Sequence, residues 1–326
     1  MRMLVTVCAL GALLLAAGVV IGGSGTWALD LPTFFWPAVA APSIMILVVA
    51  LMAGGPLSRI AATLAVVFCA VPYILLPPAP ADMPGERVRI LTANLYVGNP
   101  DPRPFVSLLT SSQPDIVVMQ ETRPLFAAAV RGSGLYPFES ALDLSDTDDK
   151  MVFSRYPIRE ARQLDDGAGG AVERHAMRLV VETPAGPIVV YAIHPDTPRT
   201  EAQWRQRNAY FDRLAAAIGA EEASTPVVVA GDWNMPAYSP FFRRFFAETG
   251  YRFARPGYWL PVTRFATRLA RYGFFGSTID HVAVSPGIRV TNWRRGHDIG
   301  SNHLPVIVDL ALPSLEAVAS RTVLRP

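Results

Sequence analysis

The chain has 326 residues, enough for two structural units. Hydrophobic residues make up 51% and charged residues 17%, too apolar a balance for an ordinary soluble protein and too polar for one buried wholly in a membrane. A net charge of +2 lacks the basic footprint of a dedicated nucleic-acid binder, and the only cysteines, Cys8 and Cys69, lie in the apolar first third, so the remainder has neither a disulfide nor a thiolate nucleophile.

Splitting the chain resolves the imbalance. Residues 1–82 hold four charges, Arg2, Asp30, Arg59 and Asp82, which leaves 27 of the 29 basic and 25 of the 27 acidic residues for the rest. Three apolar runs, 3–21, 34–53 and 60–76, each approach the ~20 residues that a helix needs to cross a hydrocarbon core of about 30 Å. Pro72 in the third is tolerable near the end of a span when the freed carbonyl finds another partner. A cleaved signal peptide would share the basic start and the small residues Gly22-Gly23-Ser24, but two more apolar runs follow at once and would still anchor the chain. No run shows the polar stripe of a soluble bundle, and none carries a charge that would mark an ion path. Keeping Arg2 and Arg59 cytoplasmic predicts three crossings and an extracytoplasmic C-terminal domain, in a multi-pass protein of the plasma or inner membrane. Its partners are then the lipid bilayer and a substrate; no obligate protein partner is implied. Residues 77–86 are proline-rich and read as a stiff linker separating the anchor from a domain at 87–313, with a tail at 314–326.

Beyond the linker, short apolar strands alternate with helices and turns. Strands are predicted at 88–96, 115–120, 151–154, 176–182, 187–193, 226–230, 278–284, 288–293 and 306–310. Thr183-Pro184-Ala185-Gly186 forms a hairpin turn. Helices are predicted at 102–112, at 199–218 with Trp204, Phe211, Leu214, Ala215 and Ile218 on one face, and at 241–248 behind a Ser239 cap. The stretch 255–276, rich in Arg, Gly and aromatic residues, has no period and reads as a long loop. Many strands with few, dispersed helices predict two sheets packed together with helices outside.

Polar residues repeatedly stand just beyond these strands: Asn94, Glu121, His194, Asp232 with Asn234, Asp280 with His281, and His303 before Leu304-Pro305-Val306. Meeting at one rim, they would form a pocket of carboxylates, amides and imidazoles. Hard oxygen ligands suit Mg²⁺ or Mn²⁺, whereas zinc would want more nitrogen or sulfur. Taken singly, each has an ordinary reading: a turn residue for Asn94, Asp232 and Asn234, a first-turn carboxylate for Glu121, a satisfied surface group for His303.

Their order resembles the endonuclease/exonuclease/phosphatase family. Thr92-Ala93-Asn94 is similar to its first motif and Gln120-Glu121-Thr122 to its metal glutamate. Phe153-Ser154-Arg155-Tyr156-Pro157-Ile158 resembles its middle strand and turn, and His194 its phosphate-side histidine. Gly231-Asp232-Trp233-Asn234 resembles its GDxN loop, with Ile279-Asp280-His281 and Ser301-Asn302-His303 as the closing pair. The resemblance implies an α+β fold, a four-layer α/β/β/α sandwich of two mixed sheets behind a three-helix transmembrane region. It implies Mg²⁺-dependent hydrolysis of a phosphodiester or phosphomonoester, in nucleic acid or a phospholipid headgroup. Glu121, Asn94 and Asn302 would hold the ion, Asp232 and Asn234 would handle the water, and His194 and His303, the latter paired with Asp280, would meet the phosphate. One departure is Asn302, where the family usually has aspartate; an amide offers an oxygen but no charge, which bears on the number of metals. Among the arginines 252, 255, 264, 268 and 271, Arg255 and Arg264 are taken as substrate contacts, since guanidinium forks suit phosphate. The competing expectation, motivated by Asn302, is a non-catalytic membrane-anchored binding module that retains the fold.

Overall fold

The computed structural model describes residues 1–77, 86–140, 149–164, 174–257, 260–265 and 276–313. Most of the linker, the C-terminal tail, Arg268 and Arg271 lie outside the described residues.

Four helices open the chain: α1 (Arg2–Gly22), the single turn α2 (Trp27–Asp30), α3 (Trp36–Ala53) after a 3-10 turn at Leu31–Phe35, and α4 (Pro56–Ile74). By length and composition three stretches here are able to cross a membrane: Arg2–Gly22, Trp27–Ala53 and Pro56–Ile74. They pack through small side chains, with Ala9, Ala50, Ala61 and Ala62 buried between them, while Leu4, Leu14, Ile44, Met45 and Ile60 face outward. Small residues let apolar helices approach closely, where water provides no driving force.

The C-terminal domain follows as β1 (Glu86–Asn94), α5 (Arg103–Ser112), β2 (Ile116–Gln120), α6 (Pro124–Gly132), β3 (Phe138–Glu139), β4 (Met151–Ser154), β5 (Ile158–Gln163), β6 (Met177–Thr183) and β7 (Gly186–Ile193). Then come α7 (Glu201–Gly219), β8 (Val227–Asp232), α8 (Pro240–Thr249), β9 (Arg252–Ala254), β10 (Arg264–Phe265), β11 (Gly276–Ser277), β12 (Asp280–Val284), β13 (Arg289–Arg295) and β14 (Val306–Leu312). Two six-stranded mixed sheets result, ordered β13-β14-β1-β2-β4-β3 and β5-β6-β7-β8-β12-β9. The parallel pairs are β1–β2 and β7–β8. Alternation along each strand sorts the side chains. Ile90, Val118, Val190, Ala230 and Val308 fill the space between the sheets. Leu91 and Val117 turn outward to Phe105 and Phe126 of α5 and α6, and Tyr191 and Val229 to Phe211 and Phe245 of α7 and α8. The domain is the expected four-layer α/β/β/α sandwich.

Local chemistry sets the ends of these elements. Helix α7 starts at Glu201 because Thr200 caps it: its hydroxyl accepts from Gln203 N at 3.2 Å and Gln203 Oε1 accepts from Thr200 N at 3.2 Å. Ser239 caps α8 as expected. The stretch 255–276 is not wholly a loop, since β10 and β11 pair within it; two-residue strands carry no period to read. Of the expected linker 77–86, residues 78–85 lie outside the described residues, and the helices before it pack on the domain after it. Leu76 is buried in the core under α7 and α8 and Trp27 packs against it, Tyr73 meets Tyr238 at 4.9 Å between ring centroids, and Trp27 Nε1 donates to Pro198 O at 2.9 Å. Asp30, which on sequence grounds is an inter-span loop charge, is buried against α7 and α8. Sparse charge in an apolar segment says where a residue sits relative to the bilayer, not what it packs on.

Candidate active site

Strand register brings distant residues together. Asn94 ends β1 opposite Gln120 at the end of β2, so Glu121 is the next residue beyond that rim. In the other sheet Ile193 pairs with Gly231 and Asp280 with Asp232, which sets His194, Asp232 and Asp280 side by side. A Cβ on Gly231 would collide with the Ile193 carbonyl, so only glycine permits this approach of β7 and β8. The loop before β14 crosses to the first sheet: Ser301 Oγ donates to Asn94 O at 2.8 Å, and Phe265 N donates to Asn302 O at 2.9 Å. Glu121 and Asn234 adopt positive φ, +50° and +45°. For Glu121 in particular that conformation costs on the order of 1 kcal/mol or more, as at many functional sites.

Within this rim the polar groups are tightly bonded. Asn94 Nδ2 donates to Glu121 Oε1 at 3.0 Å and to Asp232 Oδ2 at 3.1 Å, and so bridges the two sheets. Glu121 Oε2 accepts from Val97 N at 2.7 Å, and Asp232 Oδ1 from Asn234 N at 2.8 Å. Asn234 is held in turn, its amide donating to Pro195 O and accepting from Thr197 Oγ1. His303 Nδ1 lies 2.9 and 3.1 Å from the oxygens of Asp280. The Nε2 atoms of His303 and His194 are 3.8 and 3.7 Å from Asp232 Oδ2, too far for hydrogen bonds and close enough for strong electrostatic coupling. Burial pushes the Asp232 carboxyl up, against the pull of His303 and His194. Burial alone would lower the His303 imidazole, but the carboxylates of Asp280 and Asp232 outweigh it and hold it above its ordinary value.

A cleft of about 540 Å³ opens over these groups, and Glu121, Asp232, Asn234, Arg264, Asn302 and His303 all line it. Arg255 does not: its guanidinium donates to Gly257 O. Asp149, Arg174, Arg123 and Arg199 line the cleft as well. Asp149 accepts from His194 Nδ1 at 2.9 Å and from Arg174 Nη1 at 2.8 Å. Burial would raise the Asp149 carboxyl; His194 and Arg174 outweigh it and hold it well below the usual carboxylate range. Arg123 and Arg199 follow soon after Glu121 and His194, so proximity to a motif would have found them. Asp149 and Arg174 stand where the sequence has no period, and nothing marks them. His281 is structural, as its place after Asp280 suggests: its Nε2 meets Met235 O at 3.0 Å within a cage of Trp233, Phe242 and Phe253.

Asp232, Asp280 and His303 offer ligand atoms within 4.8 Å of one another. Asp280, however, is committed to His303 Nδ1. The oxygens beside the cleft are those of Glu121 and Asp232, with Asn94 Nδ2 between them and Asn94 Oδ1 turned away to accept from Tyr96 N, and Asn302 Oδ1 is buried with no hydrogen-bond partner. An unmet buried acceptor is costly, and this oxygen-rich set fits a hard divalent cation.

Residues 91–303 match the model of the endonuclease/exonuclease/phosphatase family. No curated protein matches the chain. Among solved structures, an endonuclease/exonuclease/phosphatase from Beutenbergia cavernae DSM 12333 is 20% identical with a TM-score of 0.54, over 70% of this chain and 72% of that one. D. rerio TDP2 complexed with single strand DNA product is 14% identical with a TM-score of 0.56, over 69% and 99% of the two chains. Sphingomyelinase C from Streptomyces griseocarneus is 16% identical with a TM-score of 0.53, also over 69% and 99%. At these identities the likeness shows the fold alone.

Proposed function

The chain belongs to the endonuclease/exonuclease/phosphatase family, and from that premise we propose that it is a membrane-anchored, divalent-metal-dependent phosphoesterase. The observation that carries this reading is that Glu121, Asp232 and His303 share one cleft, with His194 and Asp280 directly behind Asp232 and His303. Glu121 and Asn302 would hold Mg²⁺ or Mn²⁺, with Asn94 orienting Glu121 through its Nδ2, and the ion when bound would act as a Lewis acid on a non-bridging phosphate oxygen. Asp232 takes the proton of the water that attacks phosphorus. Its Oδ1 is fixed by the Asn234 amide, which leaves Oδ2 toward the cleft. His303, whose imidazole its two carboxylate neighbours hold above its ordinary value, donates a hydrogen bond to the charge that gathers on the phosphate oxygens. Asp149 orients His194 through Nδ1, directing Nε2 inward, and Arg174 and Arg264 add positive potential at the cleft wall. Such chemistry is mostly positioning and electrostatics, since phosphoryl transfer leaves the protein little covalent work.

The placement of the cleft beside the anchor favours a phosphate ester carried by a membrane lipid over nucleic acid. Thr197 and Arg199 line the cleft, and between them the Pro198 carbonyl accepts from Trp27. Arg2 and Arg59 support an extracytoplasmic domain. Asp30, after one crossing, and Leu76, after three, both pack on the domain, as a three-span topology requires. The binding-module alternative finds no support beyond Asn302 in a site that keeps Asp232 and the Asp280–His303 pair together. The test is hydrolysis by the full chain in detergent with Mg²⁺, against phospholipid vesicles, DNA and bis-p-nitrophenyl phosphate. Turnover that disappears with chelator and in Asp232→Ala is expected; chelator-resistant turnover, or none on any phosphate ester, sinks the reading.

A further inference from the structure

The catalytic loop continues past Asp232 and Asn234 to Ser239, the cap of α8. Both ends of its last stretch, residues 234–239, rest on one side chain that comes from the anchor. Asp30 Oδ1 accepts from Ser239 Oγ at 2.7 Å, and Oδ2 accepts from Arg207 Nη2 at 2.7 Å and Trp204 Nε1 at 3.0 Å. The other arm of the Arg207 guanidinium, Nη1, donates to Asn234 O at 3.2 Å. Asp30 and Arg207 are 1% and 0% exposed, so neither has water as an alternative partner. Nε and Nη2 also donate to Asn208 Oδ1, and Asp30 is the one carboxylate bonded to Arg207 among the described residues.

We propose that Asp30 is a positioning residue of the phosphoesterase site: it clamps the catalytic loop at Ser239 directly and at Asn234 through Arg207, and so makes the anchor part of the catalytic apparatus. The inference rests on the proposed hydrolysis for its kinetic consequence, though not for the clamp itself. Asn234 N fixes Asp232 Oδ1, so a shift of the Asn234 peptide moves the carboxylate that faces the substrate. Misplacement of a reacting group by about 1 Å costs on the order of 10²-fold in rate.

Two variants of the full chain in detergent test this. Asp30→Asn keeps the shape but removes the charge. Arg207→Lys keeps a cation beside Asp30 but loses the fork that reaches Asn234 as well. Hydrolysis is measured well below each unfolding midpoint, and amide hydrogen exchange is followed peptide by peptide. Both variants are expected to lose about 10²-fold in kcat with KM within about twofold. Exchange should accelerate in the peptide covering 233–239 and stay unchanged in β1 and β2. Wild-type kcat in both variants overturns the proposal, as does exchange that is unaltered in that peptide or raised equally everywhere. A wild-type chain that hydrolyses nothing removes the phosphoesterase reading instead, and the exchange data still decide the clamp. Should Asp30→Asn fail to fold, Arg207→Lys, which retains the buried pair, carries the decision alone.

Discussion

The two sheets contribute unlike halves of one site and stand on unlike supports. The β1–β2 side brings Asn94 and Glu121, and among the described residues its outer face packs on α5 and α6. The β7–β8–β12 side brings His194, Asp232, Asn234 and Asp280, and its covering helices α7 and α8 are themselves packed on the anchor through Trp27, Asp30, Tyr73 and Leu76. A site assembled from two sheet ends holds its geometry only as firmly as both supports do. Here the half proposed to handle protons is packed on the apolar N-terminal helices, and among the described residues the half proposed to hold the cation is not.

The largest expected effects test the division of chemistry. Asp232→Ala should lower kcat by roughly 10²–10⁴-fold, the usual worth of general acid–base help, with no recovery at higher Mg²⁺. Glu121→Gln should lose less at saturating Mg²⁺ and require more of the ion to reach its maximum. Kinetics of both variants across a Mg²⁺ titration would break the comparison if the metal rescued Asp232→Ala and not Glu121→Gln. Next in size is the support. Arg207→Ala leaves Asp30 buried and unpaired, which typically costs about 3–5 kcal/mol. Chemical denaturation of the full chain measures it, and a loss below about 1 kcal/mol would mean that the pair is not what joins anchor to domain.

A smaller effect concerns His281, which has no role in the chemistry. Burial lowers its imidazole to about 4, against the opposing pull of Asp280 and the Met235 carbonyl. The unfolded chain therefore binds a proton between about pH 6.5 and pH 4 that the folded chain does not. Stability is complete above that window and falls as the pH drops through it, by about 2 kcal/mol at pH 5. His281→Phe, which suits the cage of Trp233, Phe242 and Phe253, should flatten this dependence. Denaturation curves at pH 7 and pH 5 would expose an equal slope in both proteins, contrary to expectation.

The site was legible in the sequence where its residues sit at the ends of apolar strands. Ile116–Gln120 and Val227–Ala230 are buried runs whose polar successors, Glu121 and Asp232, have nowhere to go but the rim. Asp149 and Arg174 escape because they stand on irregular chain, although both line the cleft and Asp149 bonds His194. Strand β5, Ile158–Gln163, escaped for a related reason: as the edge of its sheet it reads Ile-Arg-Glu-Ala-Arg-Gln, half solvated and short of apolar positions. Asp30 is the instructive miss. A lone acid between two apolar runs is read for membrane orientation, and only tertiary packing reveals that its partners lie more than 170 residues away.

The smallest expected effect lies on the unanchored side and serves as the foil to Arg207. Arg89 of β1 stands directly across from Asp309 of β14, with Nε donating to Oδ1 at 2.5 Å and Nη2 to Oδ2 at 3.2 Å. Burial would raise the Asp309 carboxyl, but the Arg89 guanidinium and the Asn292 amide outweigh it and hold it below its ordinary value. The pair is therefore fully formed at neutral pH and fails only as the pH falls through the carboxylate range. The Asp309 side chain is 10% exposed against 1% for Asp30, and the Asn292 amide stays bonded to it, so it is left less stranded than Asp30 would be. Arg89→Met keeps the aliphatic packing and should cost about 0.2–1 kcal/mol, the range for an opposite-charge cross-strand pair. It should leave kcat unchanged, since Arg89 stands five residues before Asn94 in β1 and does not line the cleft. If Arg89→Met cost as much as Arg207→Ala in the same denaturation series, burial would not be what separates the two supports. The difference between the sheets would then have to be sought in their cores.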